Sequence, residues 1–161
     1  MSTATAKTTA ETVKQLLAGA VGTAPVSVAS TPLPQLNGVL LKHPDEDKPQ
    51  VYLVINGYRR WIPTYETFKN LFLPDTDPDW IYKDPNVYVV PPGDNLSADA
   101  RLAKANNADP IYLLTNGVKM WIPTGAIMDR NRFDRGKVLN VDPWVIGFVM
   151  NGPIIEGPHL P

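Results

Sequence analysis

An aromatic pair beside a cation occurs twice in this chain, sixty residues apart: Tyr52, Arg59 and Trp61, then Tyr112, Lys119 and Trp121. A partly exposed indole offers a flat apolar face, and hydrogen-bonding groups beside it suit the edge of a sugar ring. These six residues are therefore the candidate ligand-binding set. The same residues also have a structural use: the Tyr–Trp pair covers a short helix, with Arg59 or Lys119 laid over the indole.

Other reactive groups are less well placed. Asp75, Asp77 and Asp79 have the first-third-fifth spacing of a calcium loop, but Trp80 stands where such a loop needs Gly and Asn86 where it needs Glu. The segment reads as an acidic turn after a helix, and Asp45-Glu46-Asp47 as a loop before a strand. The two histidines, His43 and His159, have no ligand spacing around them and read as exposed loop residues. Arg130, Arg132, Arg135 and Lys137 alternate with Asp129 and Asp134, the pattern of a solvated face rather than a phosphate site. There is no Walker loop, dinucleotide fingerprint, nucleophile elbow or zinc motif. No catalytic residue, metal or cofactor is expected, and the chain reads as non-enzymatic.

Composition narrows the classes further. The 161 residues carry 15 Lys plus Arg against 16 Asp plus Glu, a net charge of -1, which disfavours a basic nucleic-acid binder. No apolar run reaches the roughly 18 residues of a membrane-spanning helix. With no Cys there is no disulfide, thiolate ligand or cysteine nucleophile. Seventeen prolines in a chain that is 43% hydrophobic predict short elements joined by many turns.

The elements that must position the six residues are legible as a duplication. Residues 51–64 and 111–124 are identical at eight of fourteen positions. Asn56-Gly57 and Asn116-Gly117 lie between apolar runs, the signal for a two-residue type I′ hairpin. That turn sets the register: Tyr52 opposes Trp61, Val54 opposes Arg59, Tyr112 opposes Trp121 and Leu114 opposes Lys119. Pro63 and Pro123 have no amide to continue a ladder, and Thr64 and Thr124 are N-caps for short helices. Apolar runs over 81–90 and 138–149 follow, each broken by Asp-Pro. Period two puts Val51, Leu53, Ile55 and Ile62, with Ile111, Leu113, Met120 and Ile122, on a core face; the six candidates fall on the other face. The fold class is α+β: two tandem ββαβ-like units over 38–97 and 98–161, with mostly antiparallel strands, packed together.

Residues 1–37 are a helix and an extended arm. Thr8-x-x-Glu11 matches a capping box, and Val13, Leu16, Leu17 and Ala20 make an apolar stripe that must dock on its own domain or on a partner. Gly19 and Gly22 weaken and end this helix, and Pro25, Pro32 and Pro34 mark a linker over 23–37. Lys7 and Lys14 precede a weak apolar core that Glu11, Gln15, Thr23 and Pro25 interrupt, so the segment reads as part of the working chain rather than as an export signal.

The hairpin, with Leu-Leu-Lys before it and Val-Tyr-Leu-Val-Ile-Asn-Gly-Tyr-Arg-Arg-Trp-Ile-Pro within it, resembles tandem repeat modules of bacterial secreted and surface-associated proteins. The resemblance covers 38–96 closely. It covers 100–158 more loosely, because Val118, Lys119 and Met120 replace Tyr58, Arg59 and Arg60. It implies attachment or ligand binding in an extracellular or surface setting, and it transfers no active-site residue. The expected function is binding of carbohydrate or a cell-surface polymer at two matched sites. The alternative is a structural or assembly protein, a homo-oligomer or part of a larger complex, whose terminal arms dock on neighbouring subunits.

Overall fold

A computed structural model of the chain describes residues 10–23, 31–77 and 79–158. Both Asn-Gly pairs form two-residue turns with positive φ at each centre, +53° and +87° at Asn56–Gly57 and +53° and +75° at Asn116–Gly117. This is the turn whose twist matches that of the strands it joins. The pairings follow from it, with Tyr52 opposite Trp61 and Tyr112 opposite Trp121.

Around the first hairpin, β1 (Leu40–Lys42), β2 (Val51–Ile55), β3 (Tyr58–Ile62) and β4 (Ile81–Lys83) form a sheet in the order β3-β2-β1-β4. The second sheet contains β5 (Arg101–Ala105), β6 (Ile111–Thr115), β7 (Val118–Ile122), β8 (Leu139–Val141) and β9 (Met150–Asn151). Its order, β8-β5-β6-β7-β9, repeats the first with one more strand at the β7 edge. The class is α+β, and four of the seven strand pairings among the described residues are antiparallel. The first unit has one strand more than the hairpin–helix–strand pattern and the second has two: β1 and β5 precede the hairpins, β4 and β8 run parallel to β1 and β5, and β9 is added beside β7. β1, of three residues, is too short for alternation to reveal it, and β5 does not alternate, since its neighbouring Leu102 and Ala103 are both buried.

The strands end where proline stops the ladder, and a capped helix starts at once. α2 (Tyr65–Leu71) and α3 (Gly125–Arg130) begin at Thr64 and Thr124, whose Oγ1 atoms accept the amides of Thr67 at 3.0 Å and Ile127 at 3.1 Å. The two Asp-Pro pairs also start helical turns, with proline in the first turn where its missing amide costs nothing. Pro85–Val89 is a 3-10 turn, capped by Asp84 Oδ1 on the Asn86 amide at 2.8 Å, and Pro143–Phe148 is α4.

The inner faces of the sheets share one core. Leu53, Ile55, Phe68 and Leu71 of the first unit pack with Leu102, Leu113, Met120 and Met128 of the second. At the seam the Phe72 and Phe133 rings stack at 5.7 Å. Leu73 and Asp134 donate backbone bonds across it to Arg132 and Leu71, at 2.9 and 2.8 Å. The turns clasp the opposite unit in the same reciprocal way. Asn56 Nδ2 donates to the Ile154 carbonyl at 2.8 Å, and Asn116 Nδ2 to the Asn95 carbonyl at 2.7 Å.

α1 (Ala10–Thr23) continues through Gly19 and Gly22 rather than stopping at them. Its Val13 and Leu17 are buried on the outer face of the first sheet, against Leu36, Leu41, Val54 and Val87. Of the two docking partners open to this stripe, the helix takes its own chain.

Several sequence expectations are corrected. Residues 31–37 are not a linker: Pro34–Leu36 is a 3-10 turn, Leu36 is buried, and buried Asn37 accepts the Gly57 amide at 2.7 Å. His43 is not exposed; it is buried and stacked on Tyr88 at 5.8 Å, with Nδ1 accepting the Asp45 amide at 3.0 Å. The arginine run is not simply a solvated face. Arg130 Nε donates to the Asn37 carbonyl at 2.9 Å, and Arg132 lies 4.1 Å over Trp80 while pairing with Asp75. Thr8, Pro25 and His159 lie outside the described residues. No helix among the described residues is long and apolar enough to cross a membrane.

Candidate functional site

The six candidate residues share the outer faces of the two hairpins but separate into two groups. Tyr52 and Arg59 are drawn into internal contacts. The Arg59 guanidinium lies 5.4 Å from the Tyr52 ring centre and 5.2 Å from that of Tyr88. Its Nη1 donates to the carbonyl of Val90 and, at 3.3 Å, to that of Tyr88. Burial pushes the Tyr52 phenol above its ordinary range; neighbouring Tyr88 adds to the shift and Arg59 opposes it. Lys119 repeats the arrangement: Nζ lies 5.4 Å over Tyr112 and donates to the Ile146 carbonyl at 2.8 Å. The cations therefore sit over tyrosines, not indoles. Nor does the Tyr–Trp pair cover the short helix, because α2 packs on the opposite, core face through Phe68 and Leu71.

The two indoles are placed differently. Trp61 is half-buried and Trp121 is 39% exposed, and each forms a wall of a cleft. The clefts arise from the repeated Trp-Ile-Pro-Thr. Proline ends the strand, threonine starts the helix, and a gap opens between the mouth of the hairpin and the first helical turn. The first cleft, about 420 Å³, is walled by Trp61, Tyr65 and Phe68, with Gln50, Asp77, Lys42 and Lys83 bringing polar groups. The second, about 280 Å³, has Trp121, Met128 and Gly125 in the equivalent places, with Asp109 and Arg135. Arg135 there is held by Asp129 at 2.6 Å and by the Gly125 carbonyl at 3.3 Å. A further cavity of about 270 Å³ adjoins the first cleft, shares Tyr65, Phe68 and Asp77 with it, and adds Lys137.

An apolar concavity with a few polar groups at its rim is the usual form of a small-ligand site. Of the six sequence candidates only Trp61 and Trp121 line the clefts; Tyr52, Arg59, Tyr112 and Lys119 do not. Tyr65, Phe68, Gln50, Lys42 and Lys83 escape a reading of the hairpin alone. Tyr65 and Phe68 follow the Thr64 cap at positions visible as a helix stripe. The lysines belong to three-residue strands whose place beside the hairpin has no local signal. Asp75 pairs with Arg132, and among the described residues no three metal-ligating side chains gather.

No family model matches the chain, and no curated protein or solved structure matches it.

Proposed function

We propose that this protein is a non-enzymatic binding module that takes carbohydrate or a cell-surface polymer in its two tryptophan clefts. The observation that carries this reading is the duplication of one concave site, indole wall included, on two copies of the same supersecondary unit. The indoles stack on the ligand. Tyr52–Arg59 and Tyr112–Lys119 lock the strands that present them. Two weak sites on one chain gain by multivalency on a polymer, and the likeness of the hairpin to repeat modules of bacterial surface proteins points the same way.

A glycan array followed by titration of the strongest hit tests it. Trp61→Ala and Trp121→Ala are each expected to weaken their own site about tenfold, close to 1.4 kcal/mol, and the double variant to remove binding. An array without a hit, or a hit indifferent to both substitutions, rejects the proposal.

A second reading, assembly, is favoured by a separate observation. Trp144 and Phe148 are 64% and 81% exposed, their rings edge to face at 5.9 Å, and nearby in sequence Met150 is 73% exposed. Exposed apolar groups of this size mark interaction surfaces when they cluster. Light scattering is expected to show an oligomer for the unmodified chain and a monomer for Trp144→Ser/Phe148→Ser. A monomer in both cases removes the assembly reading.

A further inference from the structure

We infer that the first cleft selects an acidic sugar chain, one whose rings carry carboxylate groups, and that the second cleft does not. This rests on the reading of the clefts as ligand sites and names the ligand class of one of them.

Lys42 pairs with Val51 on one side and with Lys83 on the other, and Val51 pairs with Ile62. Ile62, Val51, Lys42 and Lys83 thus form one row across the sheet, at its end. Period two places both lysines on the side of Leu40 and Ile81, which pack into the shared core. The row runs out of that core into the cleft, so two cations stand on neighbouring strands, about 4.8 Å apart at the backbone. Like charges on facing strand positions destabilise each other. Neither lysine makes an ion pair among the described residues, although Lys83 also borders a cavity with Glu11, Asp79 and Asp84 on its far side. Among the described residues Asp77 is the one carboxylate lining the cleft, against two ammonium groups. An anionic ligand completes the balance.

The remaining groups identify what bears the charge. Trp61 and Tyr65 offer flat apolar surfaces, while Gln50 and Asp77 provide acceptors for hydroxyl groups. A pyranose ring with a carboxylate uses all of these at once; a bare inorganic anion uses only the lysines. The adjoining cavity extends the track past Tyr65 to Lys137, which also makes no ion pair among the described residues. A chain of acidic rings therefore meets a further cation along its length.

The second unit supplies the internal control. Lys104 pairs with Asn140 where Lys42 pairs with Lys83, and Lys104 Nζ is taken by the Ala108 carbonyl at 3.2 Å. Lys104 does not line the second cleft, whose cation, Arg135, already has Asp129.

The test is calorimetric titration of the full chain with tetragalacturonic acid and, separately, with neutral cellotetraose. The unmodified protein is expected to prefer the acidic tetramer at least tenfold and to lose that preference as salt rises. Lys42→Gln/Lys83→Gln abolishes the preference, Lys42→Arg/Lys83→Arg retains it, and Lys104→Gln leaves it unchanged. Trp61→Ala weakens acidic-tetramer binding about tenfold, and Trp121→Ala leaves it unchanged. Equal affinity for both tetramers, or a preference that survives Lys42→Gln/Lys83→Gln, overturns this inference and leaves the clefts as neutral-sugar sites. Competition by inorganic phosphate beyond that of chloride at equal ionic strength also overturns it, by showing a simple anion site. Failure of both tetramers to bind, together with a blank array, overturns the binding-module reading itself.

Discussion

Phe133→Ala is expected to cost about 3–5 kcal/mol of folding stability, the loss that follows removal of a buried aromatic ring from a well-packed core. Phe133 is 1% exposed and stacks on Phe72 where the two units exchange backbone bonds through Leu73 and Asp134. The core it helps to fill takes side chains from both sheets, so neither unit closes its own hydrophobic face alone. A domain has about 5–15 kcal/mol of stability in total, so the variant sits near the edge of folding. Urea unfolding followed by tryptophan fluorescence and by far-ultraviolet circular dichroism measures the effect. The two signals are expected to shift together to lower denaturant in one transition. A loss below 1 kcal/mol, or two separate transitions, contradicts the shared core.

The two turn glycines are expected to respond unequally to the same substitution. Gly117→Ala places a Cβ in open space at a φ of +75°, so it suffers only the left-handed strain, about 1–2 kcal/mol. Gly57→Ala has the same strain, but its Cβ would lie 2.6 Å from Pro32 Cβ and 3.0 Å from the Leu33 amide nitrogen. That nitrogen donates to the Gly57 carbonyl at 3.0 Å, while Asn37 accepts the Gly57 amide. The 31–37 segment must shift, adding about 1–3 kcal/mol of overpacking. Parallel denaturation of the two variants measures the difference, and equal losses would show that the segment does not brace the first turn.

That difference also shows which parts of the molecule are legible in the sequence. Asn-Gly between apolar runs fixes both turns and every cross-strand pair of the hairpins, because a two-residue loop leaves one register. Pro63, Thr64, Pro123 and Thr124 fix where the strands stop and the helices start, since each acts through its own backbone geometry or cap. What is not legible depends on contacts distant along the chain. His43 reads as a loop residue until Tyr88 covers it, and the 31–37 segment reads as a linker until the Gly57 turn captures it. Arg59 reads as an indole partner until Tyr88 arrives from the 3-10 turn to share it with Tyr52. The tryptophans are legible as repeated and as partly exposed. The cleft is not, because Tyr65, Lys42 and Lys83 reach it from a helix and from two short strands that only the complete sheet places side by side.

The central claim is that the indoles of Trp61 and Trp121 are ligand contacts. The chain has four tryptophans, so its indole N–H groups give four signals in a nitrogen–proton correlation spectrum, assignable by single substitutions. Titration with the oligosaccharide hit should move the signals of Trp61 and Trp121 progressively. Those of Trp80, lying under Arg132, and of Trp144 should stay in place. Movement of Trp144 alone, or no movement of any indole while binding is seen by calorimetry, would contradict the account.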